Sequence, residues 1–175
     1  VGGGISDCRS AAAVLEAGAD RISTSSAAFR NPDVIKEMIE EFGADRVTVA
    51  IDAAVNPALP SGYEVFIDGG RTATGVDAVE WAKRIDGYGA ATILPTSKSS
   101  DGVRTGYDLP LIRSIKAVTS ADIVASGGAG TMEHFYQAAA AGATILLAAS
   151  VFHFNIISIA ELKTYLRDRG VEVLD

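Results

Sequence analysis

Glycine and serine residues recur along this chain with a spacing that suits the binding of phosphate groups. Three pairs of positions share one offset of 124 residues: Gly3 with Gly127, Gly18 with Gly142, and Ser26 with Ser150. Glycines at a strand end let the backbone approach a ligand closely, and amides at a helix start bind an oxyanion together with nearby hydroxyls. The alternative is that the glycines only form turns and the serines only cap helices. Because the pattern occurs twice, we favour two phosphate sites.

Short β-rich apolar runs alternate with longer stretches of helical period, which is typical of βαβ units and a parallel sheet. The predicted strands are Val1–Ile5, Arg21–Ser25, Val47–Ala53, Thr92–Thr96, Ile123–Ser126 and Ile145–Ala149. The predicted helices are Asp7–Ala17, Pro32–Phe42, Val76–Tyr88, Leu109–Thr119, Met132–Ala141 and Ile159–Arg169. The longer connection 56–74 contains Tyr-Glu-Val-Phe-Ile before Gly69-Gly70, which predicts a small hairpin.

The repeat spacing also predicts the size of the complete fold. Twice 124 residues is 248 residues, close to the roughly 250 residues typical of an eight-stranded β/α barrel. With 48% hydrophobic residues, residues 1–175 can form one sizeable core, so we expect a single α/β domain. We expect it to be an incomplete TIM-type (β/α)8 barrel of about six βα units, strands 3 to 8, with two further units belonging before Val1.

Composition excludes several classes of function. The formal net charge is −7 and the 15 Lys and Arg residues are scattered, which disfavours a nucleic-acid surface. A single cysteine, Cys8, permits no disulfide within the chain, and no apolar stretch approaches the roughly 20 residues that span a bilayer. His134 and His153 lack carboxylate or cysteine companions at ligand spacing, so we expect no metal site. We expect a cytoplasmic protein without a membrane segment.

Five segments together carry a resemblance to a known family. They are Val1-Gly-Gly-Gly-Ile, Val49-Ala-Ile-Asp-Ala53, Gly75-Val-Asp-Ala-Val-Glu-Trp-Ala-Lys83, Ser126-Gly-Gly-Ala-Gly-Thr-Met-Glu-His-Phe135 and Ala148-Ala-Ser-Val-Phe-His-Phe154. In this order they resemble the HisF family, the cyclase subunits of imidazole glycerol phosphate synthase. The resemblance implies a lyase of histidine biosynthesis that receives ammonia from a glutaminase subunit. It implies conversion of the bisphosphorylated ribonucleotide PRFAR to imidazole glycerol phosphate and AICAR, without a cofactor.

The resemblance assigns roles to individual residues. Asp52, near the end of the predicted strand Val47–Ala53, matches a catalytic aspartate of the family and would act as general acid or base. The phosphate-binding motifs match Gly3, Ser25 and Ser26 at one end of the substrate, and Asp101, Gly102, Ser126, Gly127, Gly128 and Ser150 at the other. For Asp101 we expect a role in holding its loop or meeting the imidazole side of the substrate.

The chain departs from the family pattern at several positions. Ala54 and Val55 stand where the family has Lys-Arg, and Thr92 stands where the family has a glutamate that gates ammonia. The loop 97–103 also differs, and the upstream units would carry the family's other catalytic aspartate. Two alternatives therefore stay open: a HisF-like paralogue acting on another phosphorylated substrate, and a catalytically silent phosphate-binding barrel fragment.

An open barrel has two unpaired sheet edges, here Val1–Ile5 and Ile145–Ala149. Unpaired edges present free backbone donors and acceptors to other chains. We therefore expect self-association through these edges, or an expanded monomer.

Overall fold

A mostly parallel sheet organises the computed structural model, which describes residues 1–174. The strands are β1 (Ile22–Thr24), β2 (Val47–Val55), β3 (Tyr63–Ile67), β4 (Thr72–Asp77), β5 (Thr92–Ser97), β6 (Asp122–Ala125) and β7 (Ile145–Leu146). The helices are α1 (Cys8–Glu16), α2 (Ser26–Arg30), α3 (Asp33–Phe42), α4 (Ala78–Gly87), α5 (Leu109–Lys116), α6 (Met132–Ala140), α7 (Ser150–His153) and α8 (Ile159–Arg167).

Strand β2 lies at the centre of the sheet. The strand order is β4-β3-β2-β5-β6-β7, and β1 also pairs with β2. β1, β5, β6 and β7 pair in parallel, whereas β3 and β4 form an antiparallel hairpin beside β2. β2 is long enough to serve two partners on one flank: β1 along its first half and β3 along its second half.

Alternate residues of β2 face opposite sides of the sheet. Val49, Ile51 and Ala53 are buried, whereas Ala50 and Asp52 are partly exposed. Such a period of two is expected for a strand with one face in the core. The buried face belongs to a core that includes Ile35, Met38 and Trp81 from neighbouring helices. β2 therefore presents Asp52 on the opposite face.

Pro95 lies inside β5, although proline lacks the amide donor of a ladder. Along a parallel strand the amide donors alternate between the two flanks. The Lys98 amide donates to the Ala53 carbonyl of β2 at 2.8 Å, so the Pro95 nitrogen faces β6. There the register covers Thr92 and Ile93 and resumes only at the Thr96–Ser126 bridge. The missing donor thus falls in a gap of the ladder.

The predicted helices are confirmed within three residues at each end. Their caps explain where they begin: Asp7 accepts from the Ser10 amide before α1, and Asp77 accepts from the Val79 and Glu80 amides before α4. Asp108 caps α5 in the same way. The hairpin predicted in the connection 56–74 is confirmed as β3 and β4.

Three predicted strands are shorter in the structure, and Arg21–Ser25 loses one residue at each end. In Val1–Ile5 only Gly2 forms a bridge, with Ser23, because Gly3 and Gly4 have positive φ and turn the chain away. In Ile145–Ala149 only Ile145 and Leu146 pair. The partner strand β6 ends at Ala125, so residues after Leu146 have no strand residues to pair with.

Two short helices, α2 and α7, were not predicted. They begin at Ser26 and Ser150, which are corresponding positions of the 124-residue repeat. Both are too short for a helical period to emerge, with five and four residues. Each copy of the repeat therefore includes a short helix after its second strand, which the sequence does not indicate.

The predicted α/β class with a parallel-rich sheet is confirmed, and the architecture is consistent with a TIM-type fold. The assignment to strands 3 to 8 of an eight-stranded barrel and the single domain over 1–175 stay predictions, and Asp175 lies outside the described residues. No helix within residues 1–174 has the length and apolar character to cross a bilayer.

Candidate functional site

A cleft beside the carboxyl-terminal half of β2 gathers four of the predicted site residues. Its volume is about 420 Å³. The predicted residues that line it are Gly3, Ser25, Ser26 and Asp52. The other lining residues are Gly4, Ile5, Ser6, Ser23, Thr24, Ala27, Arg30, Ala50 and Gly69. The first glycine and serine pair of the repeat and the aspartate thus share one cavity.

The cleft exists because two strands share one flank of β2. The β1 ladder ends at Thr24, opposite Val49, and the β3 ladder begins at Phe66, opposite Asp52. Between these two partners β1 leads into α2, so part of the flank stays uncovered. Asp52 lies at the border of this gap.

Asp52 is a half-buried carboxyl group between charges of both signs. Burial raises the pKa of Asp52 above its usual range, the nearby Asp101 carboxylate raises it further, and the Lys98 ammonium lowers it in part. A carboxyl whose pKa is raised toward the working pH exchanges protons more readily than an exposed one. The position therefore suits a general acid or base.

The serine end of the cleft carries a cation that the sequence analysis did not single out. The Ser26 hydroxyl accepts a hydrogen bond from the Asp68 amide at 2.8 Å, which ties α2 to the hairpin turn. Arg30 lies four residues after Ser26, on the same side of α2, and its Nη2 donates to Asp68 Oδ1 at 2.6 Å. This hydrogen bond from Arg30 holds the pKa of Asp68 below its usual range. The helical spacing of Ser26 and Arg30 could have revealed the pair, had α2 been predicted.

The other predicted phosphate residues lie elsewhere, around the loop 98–106. That loop, which carries Asp101 and Gly102, packs against the glycines that follow β6. The Gly106 amide donates to the Gly128 carbonyl at 2.8 Å. A Cβ atom on Gly128 would clash with the Gly106 carbonyl oxygen, and one on Gly127 would lie 3.3 Å from the Asp101 Cα. In this structure these two glycines make room for the chain itself.

Arg104 joins the loop to the second serine of the repeat. Its Nε donates to Ser150 Oγ at 3.1 Å, and its guanidinium carbon lies 6.0 Å from the centre of the Phe154 ring. Arg104 has a φ of 59°, a left-handed conformation that is uncommon for a residue other than glycine. Ser126, which follows β6, forms the bridge with Thr96. The loop therefore contacts both Gly127–Gly128 and Ser150, the other two segments of the second predicted phosphate end.

The remaining reactive side chains lie apart from the cleft. Burial and the neighbouring Glu41 raise the pKa of the Cys8 thiol to about 11, so it stays protonated near neutral pH. His134 Nδ1 accepts from the Gly130 amide at 3.1 Å, next to the start of α6. Trp81 is buried and contacts Phe29 edge to face, at 5.2 Å between ring centres. In the described part of the chain, no three His, Cys, Asp or Glu residues group as metal ligands.

A larger cavity of about 930 Å³ lies at the other end of the sheet. It is bordered by β7, α6 and α8, and its lining is mainly apolar, with Leu146, Phe152 and Leu162 among its members. It contains none of the predicted site residues. We therefore place the candidate site at the cleft near Asp52, although the cleft is smaller.

Comparisons with known proteins identify the family of the chain. The family model described as "Histidine biosynthesis protein" matches residues 1–158. Among curated proteins, the chain is 50% identical over 173 residues to the imidazole glycerol phosphate synthase subunit HisF of Pyrobaculum aerophilum, covering 99% of the chain and 67% of that relative. It is 46% identical over 177 aligned residues to the HisF subunit of Nocardia farcinica, covering 99% of the chain and 69% of that relative. The chain spans about two thirds of the length of these relatives and belongs to the HisF family of histidine biosynthesis proteins.

Proposed function

We propose that this chain acts in histidine biosynthesis as an ammonia-dependent cyclase, a lyase that converts PRFAR to imidazole glycerol phosphate and AICAR. The observation that carries the proposal is the position of Asp52, which opens into a cleft with Gly3, Ser25 and Ser26. One wall thus offers a proton-transfer group, and the other offers hydroxyls and a glycine backbone that suit a phosphate. Membership of the HisF family supports this assignment.

In the proposed mechanism, Asp52 moves protons while ammonia adds to the substrate and the imidazole ring closes. Nitrogen loses protons in these steps and oxygen leaves as water, so a carboxyl that can both accept and donate a proton is required. The half-buried setting of Asp52 supports this role because burial raises the pKa of the carboxyl. Ser25, Ser26 and Gly3 would hold one phosphate of the substrate. Asp101, Gly102, Ser126, Gly127, Gly128 and Ser150 would serve the other end.

Ammonia would come from a glutaminase subunit, since the named relatives are subunits of a synthase. This partner, self-association through the sheet edges and a cytoplasmic location all stay predictions for this chain.

A catalytically silent phosphate-binding module is the second candidate. It is favoured by the loop 98–106, which packs against Gly127 and Gly128. Such a module would bind phosphate ligands at the open cleft without turnover. The altered loop residues Lys98–Ser100 are also compatible with a paralogue that acts on another phosphorylated substrate.

The decisive experiment measures AICAR release from PRFAR with excess ammonium salt, which requires no glutaminase. We expect turnover by the unmodified chain, and loss of at least about a hundredfold in Asp52→Asn, because a general acid or base contributes about 10²–10⁴-fold. Asp45→Asn is the matched control, since Asp45 is exposed and lies before β2. Phosphate binding without turnover by the unmodified chain would favour the silent module instead.

A further inference from the structure

The backbone places Lys98 at the level of Asp52 on the neighbouring strand. Lys98 directly follows β5, and its amide donates to the carbonyl of Ala53 at 2.8 Å. Asp52 pairs with Thr96 in the parallel register. Since residues two apart on a strand share a face, Lys98 lies on the same side as Thr96 and therefore as Asp52.

Phe66 lies on the opposite flank of Asp52. The two residues are direct partners in the antiparallel pairing of β2 and β3, so their side chains share one face of the sheet. Nevertheless, Lys98 Nζ lies only 3.8 Å from the centre of the Phe66 ring. Strands are spaced about 4.8 Å apart, so β3 and β5 lie about 10 Å from each other across β2. The lysine side chain must therefore cross β2 beside Asp52.

Two contacts hold the lysine in this crossing position. Its ammonium lies over the Phe66 ring, an attractive arrangement for a cation. Its stem passes the hairpin turn, where a Cβ atom on Gly70 would lie 3.4 Å from the Lys98 Cδ and Cε atoms. This is an ordinary van der Waals distance, so the turn lies directly beside the stem. Two parts of the hairpin, the Phe66 ring and the turn at Gly70, therefore lie against the Lys98 side chain.

The ammonium of Lys98 keeps its hydrogen-bond donors available. In the part of the chain that the structure describes, the ammonium makes no hydrogen bond or ion pair. Its cation–π contact with Phe66 is electrostatic and occupies none of its N–H donors. Arg30, the cation on the other wall of the cleft, is already bonded to Asp68 at 2.6 Å. The charged groups that act on Asp52 are Lys98 and Asp101 from the loop after β5. Arg30, which is bonded to Asp68, also lines the cleft.

We propose that Lys98 is a positioning residue of the site, whose ammonium, supported by Phe66, places a positive charge beside Asp52 and meets the negative charge of a phosphorylated substrate. The proposal rests on the proposed function only for the nature of that substrate. Its electrostatic part concerns the free protein and can be measured without any ligand.

The test is a pH titration of the Asp52 carboxyl by carbon-13 NMR in the substrate-free protein. Because a positive neighbour favours the charged form of a carboxyl, Lys98→Met should raise the pKa of Asp52, and Lys98→Arg should leave it near the original value. Phe66→Leu should shift it upward by a smaller amount. Asp101→Asn should shift it in the opposite direction, since that variant removes a neighbouring negative charge.

Lys36→Met is the matched control, because Lys36 also lies over an aromatic ring, at 5.1 Å from the centre of Tyr88, but lies on α3 and is not among the charged groups that act on Asp52. It should leave the titration of Asp52 unchanged. An unaltered or lowered pKa in Lys98→Met, with Asp101→Asn showing its expected shift, would overturn the proposal. A shift in Lys98→Met without PRFAR turnover would support the positioning role while the cyclase assignment fails, so the two ideas are judged separately.

Discussion

The two ends of the 124-residue repeat have the same residue types but different surroundings. At the first end, Gly3 and Ser26 line an open cleft of about 420 Å³. At the second, Gly127, Gly128 and Ser150 are contacted by the chain's own loop 98–106. A Cβ atom on Gly4 would meet no heavy atom within 4 Å, whereas one on Gly128, 124 residues later, would clash with the backbone. A glycine can therefore admit a ligand or a neighbouring segment, and the sequence pattern is identical in both cases.

The difference originates in the segments beside each end. Next to β6, the connection between β5 and α5 is long enough to fold back and pair through Gly106 with Gly128. Next to β1, the nearby hairpin is tied to α2 through Asp68 and stops at the rim of the cleft. Loop length and anchoring thus decide which of two equivalent strand ends stays open.

The largest expected effect comes from adding a methyl group to the glycine of each end. Gly128→Ala should lower the free energy of unfolding by about 3 kcal/mol, because it combines a left-handed backbone with a backbone clash. Gly4→Ala, the change at the equivalent position, should cost only about 1 kcal/mol, since its surroundings are empty. Urea unfolding of both variants measures the difference. Equal losses would mean that the loop does not occupy the second end in solution.

A middle-sized effect is expected for the binding of inorganic phosphate. Arg30→Ala removes the guanidinium from the open cleft and should raise the Kd of phosphate about tenfold, the value of one charge-assisted hydrogen bond of about 1.5 kcal/mol. Arg104→Ala, the corresponding change at the covered end, should alter the Kd by less than about twofold. Isothermal titration calorimetry compares the two. A larger loss in Arg104→Ala would reverse the assignment of open and covered ends.

The smallest effect concerns the anchor of the loop itself. Arg104→Ala removes the bond to Ser150 and should change global stability by no more than about 0.5 kcal/mol, as expected for an exposed side chain. It should nevertheless accelerate hydrogen exchange of the Gly106 amide, which bonds to Gly128. Arg113→Ala, on an exposed position of α5, provides the control. Unchanged exchange at Gly106 would show that the loop is held by its backbone alone.

Local signals in the sequence were sufficient for most elements. The helices α1, α3, α4, α5, α6 and α8 have clear periods, and several have capping aspartates or terminal glycines, so their positions follow from interactions within a few residues. The hairpin follows from its turn glycines, and the presence of Asp52 near a strand end follows from the apolar pattern of β2. The short helices α2 and α7 were missed because four or five residues carry no period.

By itself the sequence determined the alternating α/β architecture and the repeat, because both depend on neighbours along the chain. For the same reason it placed four site residues near the ends of strands: Gly3, Ser25, Ser26 and Asp52. Only the tertiary structure decided that these four share a cleft, that the loop 98–106 covers Gly128, and that Lys98 crosses Asp52 to reach Phe66. Lys98 and Phe66 are distant along the chain, and pairing with β2 brings them together. Contacts of this kind depend on strand register and loop path, which no local residue pattern specifies.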